Sequence, residues 1–268
     1  MISDWDCDQS REGGPITFRS LARRDPRLLR FVRRTKVALS KEGSPWHERE
    51  LALLPFLVPR NCTAVDVGAN LGIYTEALVR LGVQVVAIEP NPPWAADLSA
   101  MFKKDVRVVR GAASNAVGRT ALRVPTSISH AGMATIETNN MLQGQNVEEV
   151  MVDVFTIDSL NLTEVGFIKI DVEGHEDAVL EGATETIMTY RPNLLVEAEE
   201  RHRPGSIALL LRRMSGLGYT GYMIWNGALT PLLQIGLKAS HAEFDSGENR
   251  ANANTKRYVN NFVFLPSK

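Results

Sequence analysis

The fold class of this chain is decided by the stretch Ala64-Val65-Asp66-Val67-Gly68-Ala69-Asn70-Leu71-Gly72-Ile73-Tyr74-Thr75. An apolar run leads into two glycines, and apolar residues then recur at helical spacing until Gly82. This order predicts a strand, a tight turn and a helix, which together open a βαβ unit of an α/β fold. Gly68 can adopt backbone conformations closed to other residues, and Gly72 permits the close approach of a helix or a ligand. We therefore expect free backbone N–H groups at a helix N-terminus, beside the carboxylate of Asp66.

A second apolar run, residues 83–88, predicts a strand that ends at Glu89-Pro90-Asn91. An acidic residue about 20 residues after the glycines suits a hydrogen bond to ribose hydroxyls, as dinucleotides and S-adenosylmethionine require. The dinucleotide fingerprint is Gly-x-Gly-x-x-Gly, whereas three residues separate Gly68 from Gly72 and Asp66 would repel a pyrophosphate. S-adenosylmethionine is therefore the better fit. A nicotinamide-dependent oxidoreductase and an α/β domain with a chance glycine turn stay open as alternatives.

The composition is that of an ordinary globular protein. With 268 residues, of which 44% are hydrophobic and 23% charged, the chain is long enough to bury a full core. A net charge of -1 gives no reason to expect a nucleic acid or an anionic membrane as a partner. The two cysteines, Cys7 and Cys62, make no disulfide framework, and residues 1–6 are too polar for a signal peptide. No apolar run is long enough to span a bilayer, so we expect a cytoplasmic protein.

Basic residues recur from Arg19 to Lys36 with apolar residues between them. This pattern predicts an amphipathic helix after Pro26, whose basic face either packs against the main domain or binds an anionic partner. A second helix is predicted from Trp46 to about Leu57. These helices would form a cap beside the cofactor site.

The rest of the chain predicts one main domain. We expect residues 1–58 to form an N-terminal extension and helical cap, and residues 59–268 to form an α/β domain with a β insertion at about 118–155. Before the insertion, Ala112 and Ala113 are small residues against which an adenine ring could lie. Within it, the small residues of 127–135 resemble a substrate lid, in which His130 is either catalytic or an ordinary loop histidine.

A second chemically rich stretch runs from Val165 to Glu176 and predicts a buried strand, a turn at Gly174 and a helix that continues to Ile187. Ligands of open α/β sheets bind beyond the carboxyl ends of the strands. The side chains expected at that edge are Asp66, Glu89, Asp171, Glu173 and His175. Lys169 lies inside the strand and needs a carboxylate partner, because an unpaired buried charge is costly.

Four stretches together resemble the FkbM-type methyltransferase family of class I S-adenosylmethionine-dependent enzymes. In chain order they are residues 65–72, 88–91, 156–160 and 168–176. The string Lys169-Ile170-Asp171-Val172-Glu173-Gly174 is the specific one, since the glycine turn by itself marks only the superfamily. The resemblance covers about residues 62–198, with a weaker part at 258–266.

The resemblance implies a Rossmann-like sheet of seven strands, mostly parallel with an antiparallel last strand. It also implies O-methylation of a hydroxyl on a sugar or natural product, such as a glycoside, polyketide or glycolipid, and is compatible with a homodimer. The expected cofactor-binding residues are Asp66, Gly68, Ala69, Asn70, Gly72, Tyr74, Thr75, Glu89, Pro90, Asn91, Ala112, Ala113 and Asp171. A nitrogen or protein methyltransferase of the same fold and an inactive scaffold remain as alternatives.

The catalytic hypothesis follows from the needs of a hydroxyl acceptor, which is a poor nucleophile unless its proton is removed. Asp171 and Glu173 are expected to bracket the methyl site, and His175 is a candidate base because its ordinary pKa is about 6.5. The complete set of catalytic candidates is Lys169, Asp171, Glu173, His175 and His130. In a metal-assisted variant, Asp171 with Glu197 or Glu199 would hold Mg²⁺, because carboxylates on adjacent strand ends can share a hard cation.

Overall fold

A computed structural model of the protein describes residues 25–38, 49–126, 132–138, 142, 144–200, 202, 205–225, 228–232 and 259–267. The strands are β1 (Thr63–Val67), β2 (Gln84–Glu89), β3 (Val106–Arg110), β4 (Ala112–Ala113), β5 (Gly118–Pro125), β6 (Val147–Phe155), β7 (Val165–Ile170), β8 (Asn193–Glu197), β9 (Tyr219–Trp225), β10 (Ala228–Pro231) and β11 (Asn261–Pro266). The α-helices are α1 (Pro26–Ala38), α2 (Leu54–Leu57), α3 (Ile73–Arg80), α4 (Pro92–Phe102), α5 (Glu176–Glu181), α6 (Thr184–Tyr190) and α7 (Ser206–Gly216). Short 3₁₀ turns lie at Arg49–Leu53, Lys103–Asp105 and Asp158–Leu160.

An eight-stranded sheet with the order β10-β9-β11-β8-β7-β1-β2-β3 forms the centre of the fold. The strands from β8 to β3 in this order are all parallel, whereas β11 is antiparallel to both β8 and β9. The mostly parallel sheet with an antiparallel last strand is therefore confirmed. The predicted count of seven strands is one too low, because β10 adds to the edge of the sheet as an antiparallel partner of β9.

The central strands are buried on both faces, which explains why they read as continuous apolar runs in the sequence. Every residue of β1 is buried, and one hydrophobic cluster packs on each side of the sheet. On one side α5, α6 and α7 cover β7 and β8. On the other, α3 and α4 cover β1 and β2. Both layers leave the carboxyl ends of the parallel strands at one edge, where the loops meet.

Two strands of the predicted insertion, β5 and β6, form a separate three-stranded sheet together with β4, which precedes the insertion; the strand order is β4-β6-β5. Strands β5 and β6 pair along their whole length in antiparallel register, from Gly118↔Val154 to Pro125↔Val147. Residues 132–138 lie between these strands in the chain, and Thr135 pairs with Arg123 of β5. The predicted lid residues 127–131 lie outside the described residues.

The predicted helix from Glu176 to Ile187 is interrupted, because α5 ends at Glu181 and α6 starts at Thr184. The interruption lies at Gly182, where an added Cβ would stand 1.9 Å from the carbonyl oxygen of Ser114. The Gly182 carbonyl accepts a hydrogen bond from the N–H of Asp158. Two other segments thus dock against the break, which periodicity within the helix cannot reveal.

Helix α1 packs against the main domain through its basic face. The Arg30 guanidinium lies 2.6 Å from the Glu76 carboxylate, and that of Arg33 lies 3.0 Å from Asp97. This arrangement is the first of the two interpretations of the basic face. The second predicted helix begins in the described residues as a 3₁₀ turn and becomes α-helical only at Leu54. In the described ranges, no helix is long and apolar enough to cross a membrane.

Candidate active site

A cleft with about 560 Å³ of unfilled space, part of it open to solvent, lies beyond the carboxyl ends of β1, β2 and β7. The predicted residues that line it are Gly68, Asn70, Glu89, Pro90, Ala112, Ala113, Asp171, Glu173 and His175. The insertion adds Leu122, Gly132, Ala134, Thr135 and Ile136 to the lining. The structure thus brings together most of the residues expected at this edge of the sheet. His130 lies outside the described residues.

The remaining predicted cofactor residues are not part of the cleft lining. They are Asp66, Ala69, Gly72, Tyr74, Thr75 and Asn91. The Asp66 side chain is fully buried, and its Oδ2 accepts a hydrogen bond of 2.6 Å from the hydroxyl of Thr75. Burial raises the pKa of Asp66 above its ordinary value. Asp66 therefore supports helix α3 from behind the glycine turn instead of facing the cleft.

The turn after β1 depends on its two glycines for different reasons. Gly68 has a φ of +77°, and a Cβ there would stand 1.8 Å from the carbonyl oxygen of Asp171. Gly72 has a φ of +78°, and a Cβ there would approach Leu98 of α4 to 2.7 Å. Gly68 thus allows the β1 and β7 loops to touch, whereas Gly72 allows helix packing. Both conformations lie in the left-handed region that glycine enters without steric penalty.

Glu89 holds the glycine turn and its own loop together. Its Oε2 accepts a hydrogen bond of 2.6 Å from the backbone N–H of Asn70, and its Oε1 accepts one of 2.8 Å from Asn91. Burial raises the pKa of Glu89 to about 7, although both N–H groups act in the opposite direction. Each carboxylate oxygen has a second lone pair that can accept another hydrogen bond. Glu89 can therefore structure the loops and still accept from a ligand in the cleft.

Lys169 has the carboxylate partner that its buried position in the strand requires. Its Nζ lies 3.0 Å from Oδ2 of Asp171 and 4.0 Å from Oδ1 of Asp66. The ring of Tyr74 lies against the ammonium group, with its centroid at 4.9 Å. Burial acts to lower the pKa of Lys169, but the two carboxylates more than offset it, so the pKa is raised. The prediction that Lys169 pairs with a carboxylate of the site is confirmed.

Both ring nitrogens of His175 are engaged. Nε2 lies 2.8 Å from the hydroxyl of Ser114, and Nδ1 lies 2.6 Å from Oε1 of Glu137. With Nδ1–H donating to the carboxylate, Nε2 accepts the hydrogen bond of Ser114. His175 can act as a base toward an acceptor only if Ser114 gives up this hydrogen bond. Neither Ser114 nor Glu137 follows from the sequence pattern, since each is distant from His175 in the chain.

Glu173 is the lining carboxylate with the most unusual backbone. Its φ is +57°, a region that non-glycine residues rarely adopt and that recurs at functional sites. The hydroxyl of Thr135 donates to the Glu173 carbonyl over 3.1 Å, and Nε2 of His202 lies 2.9 Å from the carboxylate. Sequence reasoning missed His202. Its position in a loop after an acidic strand end, at the same edge of the sheet, is the signal that could have indicated it.

Glu176 should make stability depend on pH. Its side chain is 4% exposed and accepts a 2.8 Å hydrogen bond from the N–H of Gly174, and burial raises its pKa from 4.5 to about 7. The folded state then keeps a proton that the unfolded chain releases, so stability is lost as pH rises from about 4.5 to about 7. Glu176→Gln, which cannot ionise, should gain on the order of 3 kcal/mol relative to wild type across this range. Urea denaturation at several pH values measures this difference, and parallel curves for the two proteins would contradict it.

The predicted magnesium ligands do not assemble. The amide of Asn260 donates to both Glu197, over 2.5 Å, and Glu199, over 3.2 Å, while Asp171 pairs with Lys169. Among the residues that the structure describes, no group of three or more histidine, cysteine or acidic side chains could hold a metal ion. The Mg²⁺ prediction for Asp171, Glu197 and Glu199 is therefore not supported. Asp171 is instead paired with Lys169, and Glu197 and Glu199 accept from the amide of Asn260, a partner that the sequence pattern does not reveal.

Comparison with known protein families shows to which family the chain belongs. Residues 66–220, more than half of the chain, match the methyltransferase FkbM domain. The chain belongs to the FkbM methyltransferase family. The match confirms the family that the four sequence stretches predict, and it includes all cleft-lining residues named above. Comparison with curated proteins gave no match.

Several solved structures are similar to this chain of the FkbM family at low identity, and three of them serve as examples. The FkbM methyltransferase of Methylobacillus flagellatus is 18% identical with a TM-score of 0.45, and the match covers 76% of this chain but 44% of that one. A precorrin-6y C5,15-methyltransferase of Geobacter metallireducens is 10% identical, with a TM-score of 0.43 and coverages of 85% and 92%. An O-methyltransferase of Bacillus cereus, solved with S-adenosylhomocysteine, is 14% identical, with a TM-score of 0.42 and coverages of 90% and 89%. The chain thus spans less than half of the Methylobacillus protein.

Proposed function

We propose that this FkbM-family methyltransferase transfers the methyl group of S-adenosylmethionine to a hydroxyl of a sugar or another natural product. One observation supports this proposal best: the glycine turn, the Glu89 carboxylate and the acidic residues after β7 line a single cleft. A dinucleotide enzyme would need a site for the pyrophosphate of its cofactor, and the acidic side chains that line this cleft would repel a pyrophosphate.

The residues of the cleft fit the parts of S-adenosylmethionine. The free lone pairs of Glu89 suit the two ribose hydroxyls, and the small residues Ala112 and Ala113 leave room for a flat base. Asp171 and Glu173 place negative charge on the same cleft, which favours a cationic sulfonium. When bound, the cofactor supplies a methyl group that is activated by the positive sulfur.

The protein's own contribution is to position the acceptor and take its proton. Among the lining acids and bases, Asp171 is paired with Lys169, and His175 has a partner on each ring nitrogen. Glu173 uses Oε2 toward His202, and within the described part of the chain its other carboxylate oxygen has no hydrogen bond. Glu173 is therefore the favoured proton acceptor, and His175 the alternative.

Calorimetric titration of S-adenosylmethionine and S-adenosylhomocysteine into wild type and Glu89→Ala tests the cofactor. We expect wild type to bind both, and the variant to bind at least about 100-fold more weakly, because charge-assisted hydrogen bonds are worth roughly 1.5–3 kcal/mol each. Glu181→Ala is the matched control, since half of that side chain is exposed, away from the cleft lining. It should bind as wild type does.

Two outcomes would contradict the proposal. If wild type binds neither compound, the cofactor assignment fails and the scaffold alternative gains support. If both Glu89→Ala and Glu181→Ala bind normally while circular dichroism shows native folds, Glu89 does not hold the ribose. Where binding is found, release of S-adenosylhomocysteine with a panel of methyl glycosides tests the hydroxyl acceptor.

A further inference from the structure

Glu173 is fixed by its own turn and by contacts from two other parts of the chain. Its left-handed backbone is followed by Gly174, which has a φ of +106°, so the turn is tight. From the insertion, the Thr135 hydroxyl donates to the Glu173 carbonyl. From the loop after β8, His202 reaches the carboxylate. Backbone strain of this kind persists only where the surroundings over-determine it, which is typical of residues in functional sites.

His202 is a buried residue that packs against the turn of Glu173. Its side chain is 4% exposed, and its backbone N–H donates to the Glu199 carbonyl over 3.1 Å. A Cβ added to Gly174 would stand 3.1 Å from the Cβ of His202, so the glycine lets the turn pack directly on the histidine. The turn after Glu173 thus packs on the backbone and Cβ of His202, which fixes where the imidazole starts.

The hydrogen bonds of His202 indicate which ring nitrogen carries the proton. Nε2 lies 2.9 Å from Oε2 of Glu173 and 3.8 Å from Oε2 of Glu199, whereas the buried Nδ1 has no hydrogen-bond partner in the described part of the chain. A proton on Nδ1 would leave a buried donor without an acceptor and turn the Nε2 lone pair toward a carboxylate, which is unfavourable. The Nε2–H tautomer, donating to Glu173, avoids both penalties.

We propose that His202 is a positioning residue that holds the Glu173 carboxylate for removal of the acceptor's hydroxyl proton. The inference rests on the proposed function. Glu173 lines the cleft, and its side chain is 19% exposed, so an acceptor can reach it. The His202 hydrogen bond occupies Oε2 and leaves Oε1 for the proton.

The proposed step moves a proton from the acceptor hydroxyl to Glu173 and a methyl group from sulfur to the acceptor oxygen. Glu173 takes the hydroxyl proton while the acceptor oxygen forms a bond to the methyl carbon. The carbon–sulfur bond breaks, and its electron pair remains on sulfur. Glu173 afterwards releases the proton to solvent. His202 exchanges no proton in this step, because its role is to keep the carboxylate in line with the acceptor.

A double-mutant cycle on the full chain tests the positioning role, with release of S-adenosylhomocysteine on a panel of methyl glycosides as the assay. Glu173→Gln should lower kcat by about 100-fold or more, the usual contribution of a general base. His202→Leu should lower kcat by about 100-fold through misplacement of the carboxylate, with KM for S-adenosylmethionine unchanged. His202→Gln should recover most of the loss, because the amide nitrogen of glutamine can take the place of Nε2 as a donor. The double variant Glu173→Gln/His202→Leu should be no slower than Glu173→Gln.

Glu200→Gln is the matched control. Glu200 lies in the same loop, two residues before His202, and its carboxylate accepts from the N–H of Ile207 in the first turn of α7. The control should lose some stability and keep its kcat. The positioning role would be overturned if the losses of kcat in Glu173→Gln and His202→Leu were additive in the double variant. It would also be overturned if His202→Gln lost as much kcat as His202→Leu.

A measurement without any acceptor separates this inference from the proposed function. Long-range ¹H–¹⁵N correlation of the histidine rings should show His202 as the Nε2–H tautomer in wild type, with a changed Nε2 shift in Glu173→Ala. An Nδ1–H tautomer, or a His202 spectrum unaffected by Glu173→Ala, would overturn the pairing. If wild type binds S-adenosylmethionine but methylates no glycoside while the spectra agree, the sugar acceptor of the proposed function fails and the pairing stands.

Discussion

Replacement of Gly68 by alanine is expected to destabilise the protein by more than about 4 kcal/mol, at the extreme of single-residue effects. The added Cβ would stand 1.8 Å from the carbonyl oxygen of Asp171, far inside van der Waals contact. Neither backbone can move away easily, because the N–H of Asp171 donates to Val67 and that of Gly68 donates to Ile88. Urea denaturation measures the loss, provided that the variant folds at all.

Gly82→Ala is the matched control for this experiment. Gly82 has a φ of +75°, almost the value of Gly68, but a Cβ there would meet no heavy atom within 4 Å. Only the left-handed backbone then penalises alanine, by about 1–2 kcal/mol. If Gly68→Ala and Gly82→Ala lost equal free energy of unfolding, the close contact between the loops after β1 and β7 would be contradicted.

Lys169→Met is expected to cost about 3–5 kcal/mol of folding stability, because it leaves a fully buried and a partly buried carboxylate without their cation. Asp66 is fully buried, and Asp171 loses its 3.0 Å hydrogen bond. The free energy of unfolding from chemical denaturation is the measurement. Adding Asp171→Asn to Lys169→Met should restore part of the loss by removing one uncompensated charge.

Arg119→Met provides the comparison at the surface. Arg119 lies 3.3 Å from Asp153, but the two side chains are 65% and 74% exposed. Removal of such a pair typically changes stability by less than about 1 kcal/mol, since solvent screens the charges. If Lys169→Met costs no more than Arg119→Met, the Lys169 cluster is not the buried ion pair described here.

Much of the fold could be read from the sequence because the relevant signals are local. The strand, glycine turn and helix around Gly68 follow from apolar periodicity and from the freedom of glycine, and Glu89 and Asp171 follow from their places at strand ends. The extra strand β10 could not be predicted so readily, because a four-residue strand at a sheet edge has too little pattern of its own. The break at Gly182 could not be predicted for a different reason, since the two segments that dock there, at Ser114 and Asp158, lie elsewhere in the chain.

The sequence by itself determined the α/β class, the family and the edge of the sheet at which the cleft lies. The tertiary structure alone decided which side chains meet there: Ser114 and Glu137 on His175, Thr135 and His202 on Glu173, and Asp66 behind the turn instead of in the cleft. The physical reason is that periodicity and turn chemistry depend on neighbours in the chain. Hydrogen bonds and ion pairs of 2.6–3.1 Å between loops depend on how separate segments pack.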